Sequence, residues 1–351
     1  MPAVVRCLCL LDNLLEFAFS LYFEPKLHMK EHTGLVTIGI VNWNTRDLLI
    51  DLLRQLEEDE TEFEREIIVV DNASEDGSAE AVKNEFPDVQ LIINRENLGF
   101  TRACNQIMDR MKGDFLLLLN TDVEVPRGEL DKLVKFMLER PDVALCGPKL
   151  LYPDGSLQAS VRRFHDLTTV LWELTGLDRC FPKSRIFGRY LMSYWDHSEA
   201  REVDFVSGAV YLMRKEAIDD VGIFDEDYFL YVQDADWSYR AKQKGWRVCY
   251  VPEVQVVHFE EQSIKKIGTL KKYYSHFERL LFFRKHYGLW KARFLFLLTY
   301  LLTRLKLFIN QILETFTDKS GRQYGWLIYY RKNSLNVIRN SGGQMLPERT
   351  C

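Results

Sequence analysis

The chain has 351 residues, enough for one large domain or one domain with appendages, and its 47% hydrophobic and 28% charged content leaves no room for a protein without a substantial core. The formal net charge of −5 hides an asymmetry: residues 1–260 carry 29 Lys+Arg against 46 Asp+Glu (net −17), and residues 261–351 carry 17 against 5 (net +12). An acidic body with a basic, aromatic-rich tail predicts that the tail meets something anionic, a membrane surface or a nucleic acid.

The seven cysteines, at positions 7, 9, 104, 146, 180, 249 and 351, are scattered and form no C-x-x-C pair. This usage suits free thiols in a reducing compartment, hence the cytoplasm. The N-terminal stretch is apolar from Cys7 to Phe23 but is interrupted by Asp12 and Glu16, with little positive charge before it and no convincing cleavage site. Residues 1–33 are therefore expected to be an extension, either an amphipathic helix or not native sequence with Met29 as the start, rather than a signal peptide.

From residue 35 strand and helix patterns alternate. LVTIGIVNWN (35–44) is an apolar strand, and TRDLLIDLLRQLEE (45–58) has helical spacing with Thr45 as a candidate N-cap. REIIVVD (65–71) is a second strand, followed by a polar turn and the helical AEAVKNEF. VQLIIN (89–94) is a third strand, and GFTRACNQIMDRM (99–111) a third helix. The run ending in LLLLN, whose unbroken apolar character implies a strand covered on both faces, precedes a helix at about 128–139 and the strand VALCG (143–147). This order predicts an α/β fold with a doubly wound, mostly parallel sheet. Residues 148–204 lose the rhythm and read as an insertion of loops and short helices; it returns over 205–259.

Three strands end in polar groups: Asn42 with Asn44, Asp71 with Asn72, and Asn120 with Asp122. One such ending is a turn; three neighbouring ones make a polar rim where open α/β sheets bind ligands. Asp71 can accept a hydrogen bond from a base or ribose, and Asp122 offers a hard oxygen to a divalent cation. The chain has no G-x-G-x-x-G and no Walker motif, which disfavours a dehydrogenase or P-loop NTPase.

Taken together, VTIGIVNWN, IIVVDNASEDGS, NLGFTRACN, LLLLNTDVEV, the segment from VSGAVYLMRKEAIDDVGIFDEDYF to AKQKGWRV, and VPEVQVVH resemble glycosyltransferase family 2, in its bacterial rhamnosyltransferase-like branch. The resemblance covers residues 35–260 in order. It implies a GT-A fold over 34–260, with Asp71 contacting the nucleotide base and Asn42, Arg95 and Gly99 lining the donor site. Asn120-Thr121-Asp122 falls on the family's D-x-D motif, with Asn at its first position, and His258 on a further metal position, for Mg2+ or Mn2+. Asp234 matches the catalytic base, and Gln233 stands where the family usually has Glu. Loss of that neighbouring charge should make Asp234 slightly less basic. The implied reaction is inverting transfer of a sugar, by resemblance rhamnose, from a nucleotide-diphosphate donor to a glycan or polyprenyl-linked saccharide in cell-surface polysaccharide synthesis. A sugar nucleotidyltransferase would need a Gly-rich loop after the first strand, which NWNTRDLL lacks. A non-catalytic glycan-binding or scaffold relative has only Gln233 in its favour.

Several residues have a plainer reading. Asp236 and Arg240, four apart on a helix, form an ion pair unless Arg240 meets phosphate. Trp237 and Trp246 belong to the core or to an acceptor wall. Asp225 and Glu226 either cap a turn or stand near the acceptor. Residues 261–351 are expected to be a basic, amphipathic helical region. Its longest strongly apolar stretch, Phe294 to Thr303, is too short to span a bilayer. Residues 263–316 therefore either lie on the cytoplasmic face of a membrane as a peripheral contact or cap the catalytic domain. The acidic body and the lack of a nucleic-acid motif argue against nucleic acid.

Overall fold

The computed structural model of the chain describes residues 34–259 and 270–314, together with Ser334. The chain divides into the units Met1–His32 and Thr33–Cys351. The expected extension 1–33, the Met29 start, and residues 263–269 and 315–316 of the basic tail lie outside the described residues.

The first half alternates as expected: β1 (Val36–Asn42), α1 (Arg46–Glu58), β2 (Arg65–Asp71), α2 (Ser78–Glu85), β3 (Gln90–Ile93), α3 (Phe100–Met108) and β4 (Phe115–Asn120). These strands lie in the order β3-β2-β1-β4, all parallel. The chain winds outward from β1 in one direction and then restarts at β4 on its other side. That reversal opens a crevice at the carboxyl ends of β1 and β4. The apolar run of β4 is accounted for by its two covered faces. Phe115, Leu117 and Leu119 enter one buried cluster with Leu49 and Leu52 of α1 and with Leu130 and Leu133, and Leu116 and Leu118 enter another with Ala103 and Ile107 of α3. Gly39 permits this close packing, because a Cβ there would lie 2.7 Å from Ile107 and 2.8 Å from Leu118.

The second half comprises β5 (Val123–Glu124), α4 (Glu129–Leu138), β6 (Val143–Leu151), β7 (Leu157–Gln158), β8 (Val161–Arg162), α5 (Leu167–Thr175), α6 (Leu177–Cys180), β9 (Arg201–Glu202), β10 (Phe205–Val206), β11 (Val210–Arg214), α7 (Lys215–Val221), α8 (Gln233–Gln243) and β12 (Arg247–His258). The sheet continues β4-β11-β6-β12-β5. β12 runs parallel to β6, whereas β11 is antiparallel to both β4 and β6. β11 starts opposite Leu119, near the carboxyl end of β4, and ends opposite Phe115, so it runs back through the sheet in reverse. β8 and β10 form a small separate pair.

The C-terminal helices are α9 (Leu270–Phe282), a π-helical turn (Phe283–Tyr287) and α10 (Leu289–Glu314). α9 packs on the α/β part: Tyr273, Phe277, Leu280, Leu281 and Phe282 are buried in one cluster with Val170 and Leu174 of α5, Phe205, Tyr228 and Ala235. α10 has two faces. Ala292, Leu295, Thr299 and Thr303 are buried, while Trp290, Phe294, Leu297, Leu301, Leu305 and Phe308, at helical spacing, are 47–69% exposed. No helix among the described residues is long and apolar enough to cross a membrane. Cys104, Cys146, Cys180 and Cys249 are free thiols.

Candidate active site

Register sets the site. Asn42 is opposite Asp71 across β1–β2, and Val41 is opposite Asn120 across β1–β4, so the three polar strand ends lie side by side. A chain of hydrogen bonds joins them. Asp71 accepts from Asn42 Nδ2 (2.8 Å) and from the Ser74 N–H (3.0 Å). The Thr45 hydroxyl donates to Asn42 Oδ1 (2.7 Å) and meets the Thr121 hydroxyl (2.8 Å). Thr45 does sit at the N-cap of α1, but its side chain makes no capping bond; the strand ends use its hydroxyl instead. Held from below at Thr121, Asn120 and Asp122 face a cleft of about 390 Å³, within the usual range of small-molecule sites.

Five of the expected site residues line that cleft: Gly99, Asn120, Asp122, Asp234 and His258. Asn42 and Asp71 are buried beneath it in the hydrogen-bond chain and do not line it, and Arg95 is exposed on the loop after β3. Gly99 is required where it stands. It has φ +85°, a Cβ on it would lie 2.5 Å from the Phe229 ring, and the next N–H, of Phe100, donates to Phe229 O (2.8 Å). This close approach joins the turn after β3 to the loop that precedes α8.

Asp122 and His258 come together because β5 pairs with β12, with Val123 opposite His258, and the Phe259 N–H donates to Asp122 O (2.9 Å). His258 Nδ1 is 2.7 Å from Gln158 Oε1, which can only accept, so Nδ1 carries the proton. In the neutral ring Nε2 then presents a lone pair. It lies 3.3 Å from Asp122 Oδ1, without hydrogen-bond geometry and with no hydrogen-bond partner among the described residues. An acceptor pair this close fits a cation between them, and a metal-ligating histidine is oriented in the same way through its other nitrogen. No group of three or more His, Cys, Asp or Glu side chains gathers among the described residues. The donor set is thus one carboxylate and one imidazole, which fits a divalent ion that takes its remaining oxygens from a diphosphate and water.

Asp234 lies in the first turn of α8. It is preceded by Val232, whose φ of +66° is strained for a β-branched residue, a kind of strain that clusters at functional sites. Its oxygens accept the N–H groups of Gly208 (3.1 Å) and Ala235 (2.8 Å). Burial pushes Asp234 above the usual carboxylate range, offset in part by the Ala235 N–H, the Arg162 guanidinium and the Gly208 N–H. Burial therefore outweighs the lower basicity expected from Gln233. Gln233 is itself buried on the cleft wall, and its Oε1 has no partner among the described residues.

Asp236 binds Arg240 (2.9 Å), the Tyr228 hydroxyl (3.1 Å) and His286 (2.7 Å), and Arg240 spends its other nitrogens on Val221 O and Ile223 O (2.9 Å each). Arg240 is thus an ion-pair partner and not part of the cleft wall. Trp237 is wholly buried and donates to Gly222 O (2.7 Å), and Trp246 binds Asp220 (2.9 Å). Asp225 accepts the Asp227 N–H (3.0 Å), and Glu226 pairs with Arg102 (3.2 Å).

Sequence reasoning missed one wall. Arg162 on β8, His165, Tyr190, and Lys271 and Arg279 of α9 also line the cleft. Beneath them, Glu278 accepts three consecutive N–H groups, from Phe229 (3.0 Å), Leu230 (3.1 Å) and Tyr231 (2.7 Å), fixing the loop that leads into Asp234. Burial pushes Glu278 up to about 8 against the pull of those N–H groups, and the Asp234 charge adds to the rise. One signal was available: Glu278 is a lone acid beside Phe277, Leu280 and Leu281 in an otherwise basic segment, the mark of a buried carboxylate.

A parallel sheet with an antiparallel β11, a crevice at its carboxyl edge and an acid–histidine pair at the rim define a GT-A glycosyltransferase. Residues 37–222 match the family model described as Glycosyl transferase family 2, and the chain belongs to that family. Asp234 and His258 lie beyond the matched residues. The chain is 30% identical over 244 residues to the N-acetylglucosaminyl-diphospho-decaprenol L-rhamnosyltransferase of Mycobacterium tuberculosis (strain CDC 1551 / Oshkosh), covering 66% of this chain and 79% of that protein. It is 24% identical over 243 residues to the poly-beta-1,6-N-acetyl-D-glucosamine synthase of Staphylococcus aureus (strain MSSA476), covering 68% and 52%. The solved structure of S. aureus TarS 1-349 superposes with a TM-score of 0.50 over 87% of this chain and 81% of that one at 11% identity, a likeness of fold alone. The resemblance read from the sequence, to this family and its rhamnosyltransferase-like members, is borne out.

Proposed function

We propose that this enzyme transfers a sugar, rhamnose being the first candidate, from a nucleotide-diphosphate donor to a hydroxyl of a polyprenyl-linked saccharide or related glycan, with inversion and with Mg2+ or Mn2+. The observation that carries this reading is the Asp122–His258 pair, two buried acceptors 3.3 Å apart on the same cleft as Asp234. A divalent cation held there would neutralise charge on the departing diphosphate. Asn120 and Gly99 shape the donor side of the cleft, while Asn42 and Asp71 hold the strand ends that carry it. Asp234 accepts the acceptor hydroxyl's proton as that oxygen bonds to the anomeric carbon and the bond to the diphosphate breaks. Its raised affinity for protons favours this role, and one displacement needs no covalent enzyme nucleophile. Residues 34–260 form the catalytic domain in this reading, completed by α9.

A lipid-linked acceptor places the enzyme at a membrane surface. The exposed stripe from Trp290 to Phe308, flanked by exposed Lys291, Arg293, Arg304 and Lys306, has the chemistry of a helix that lies in the interface, as a peripheral contact on the cytoplasmic face. The test is a turnover screen of the purified full chain against UDP-, dTDP- and GDP-sugars, with and without Mn2+. Metal-dependent release of one nucleoside diphosphate is expected; undiminished turnover in EDTA would remove the cation from the reaction.

A further inference from the structure

We propose that the base's end of the cleft carries a subsite for a phosphate group of the acceptor, so that the enzyme selects a phosphate-linked saccharide over a neutral glycan. This inference rests on the transferase reading above and concerns the wall that reading leaves without a task.

Arg162 is central. It lies opposite Phe205 in the β8–β10 pair, and β10 runs directly into Ser207 and Gly208, the latter donating its N–H to Asp234. Register therefore brings Arg162 to the side of Asp234, and its charge is among those that offset the rise in that carboxyl. The donor's diphosphate belongs instead at Asp122 and His258. Arg162 is half-buried on the cleft wall, yet among the described residues its side chain has no hydrogen bond and no carboxylate within ion-pair distance. A half-buried guanidinium with no hydrogen-bond partner leaves its donors open toward the cleft, and their planar fork matches phosphate oxygens.

A second observation points to the same place. His165 is 6% exposed, stacks on Tyr190 with ring centroids 4.0 Å apart, and its Nδ1 has no partner among the described residues although the residue lines the cleft. Burial, with Arg279 and Arg162 nearby, holds it neutral, which leaves it a hydrogen-bonding group rather than a competing charge. Arg279 is positioned by Glu173 of α5 (3.0 Å), and with Lys271 it brings the cations on the cleft wall to three. Two of these come from α9, so the basic tail contributes to the acceptor end of the site itself.

The experiment uses the full chain and the variants Arg162→Gln and Arg162→Lys. Neither removes an internal bond, because the Arg162 side chain makes none among the described residues. Two acceptors carrying the same saccharide are compared, one on a short polyprenyl diphosphate and one on a neutral alkyl chain, and binding of geranyl diphosphate and of geraniol is measured by calorimetry. Wild type is expected to prefer the diphosphate acceptor. Arg162→Gln should raise its KM by about ten- to a hundred-fold, the worth of a charge-assisted pair, with Arg162→Lys in between. Because the Arg162 charge also lowers the proton affinity of Asp234, KM is compared at a pH above the acid limb of both proteins, where the variant should raise the ratio of KM for the diphosphate acceptor to KM for the neutral one. The affinity for nucleoside diphosphate should be unchanged. Equal use of both acceptors by the wild type would overturn the subsite while leaving the transferase reading intact. Weaker nucleoside-diphosphate binding in Arg162→Gln would also overturn it, by assigning Arg162 to the donor. Arg162-dependent binding of geranyl diphosphate without sugar transfer would support the subsite and count against the transferase reading.

Discussion

His258 shows how much chemistry a single hydrogen bond can set. Gln158 holds the proton on Nδ1, and only that tautomer gives Nε2 a lone pair toward Asp122. Gln158→Ala should leave the fold intact but free the ring, weakening activation by Mn2+ by about 10- to 100-fold; an unchanged Mn2+ titration would show that His258 is not a ligand. Asp234 makes a second prediction through its raised proton affinity. Only the ionised form can take a proton, so kcat/KM must fall as pH drops through a value above that of an ordinary aspartate. Gln233→Glu adds a negative charge beside it and should move this acid limb to still higher pH. A limb that stays in place would separate Gln233 from the base. The places of Asp122, Asp234 and His258 on one cleft were legible because each stands at the start or end of a patterned element, within a local motif. Asn42 and Asp71 were legible as strand-end residues, but their bond to each other beneath the cleft depends on the β1–β2 register, which no local pattern encodes.

At the scale of elements, α9 unites the tail with the site. Its Glu278 ties down Phe229 to Tyr231 and thereby the approach to α8. A carboxyl whose folded value is raised contributes stability that is fully present below its unfolded value and is lost as pH rises through the folded value, here about 8. Glu278→Gln removes this titration. The melting-temperature difference between wild type and variant, followed from about pH 5 to about pH 9, should therefore shift against the wild type as pH rises. A difference that does not vary with pH would place the carboxyl's titration elsewhere. The regular first half of the fold was readable from apolar periodicity, since each parallel strand is a short apolar run bounded by polar turns. The reversed β11 and the roles of Arg162, Arg279 and Glu278 were not. They depend on pairings between segments far apart in the chain, and Arg162 sits on a two-residue strand with no period to detect.

For the whole molecule, the charge asymmetry now has two addresses. Lys271 and Arg279 turn toward the cleft, while Lys291, Arg293, Arg304 and Lys306 are exposed beside the apolar stripe of α10. Each surface cation adds roughly 1 kcal/mol of attraction to an anionic bilayer, so the full chain should sediment with anionic vesicles and be released by high salt. Replacing Leu297 and Leu301 with Glu should abolish sedimentation without loss of turnover on a soluble acceptor. Binding that survives this change would assign the contact to another surface.

In the proposed reaction the cleft divides its work, with Asp122 and His258 serving the donor and Asp234 the acceptor. Parallel measurement of nucleotide-sugar binding in Mn2+ and of sugar transfer, in Asp122→Asn and Asp234→Asn, tests it most directly. Asp122→Asn should lose both metal-dependent donor binding and transfer. Asp234→Asn should bind donor as the wild type does while transfer falls by about 10²-fold or more. Transfer by Asp234→Asn at the wild-type rate, or full donor binding by Asp122→Asn, would contradict the account.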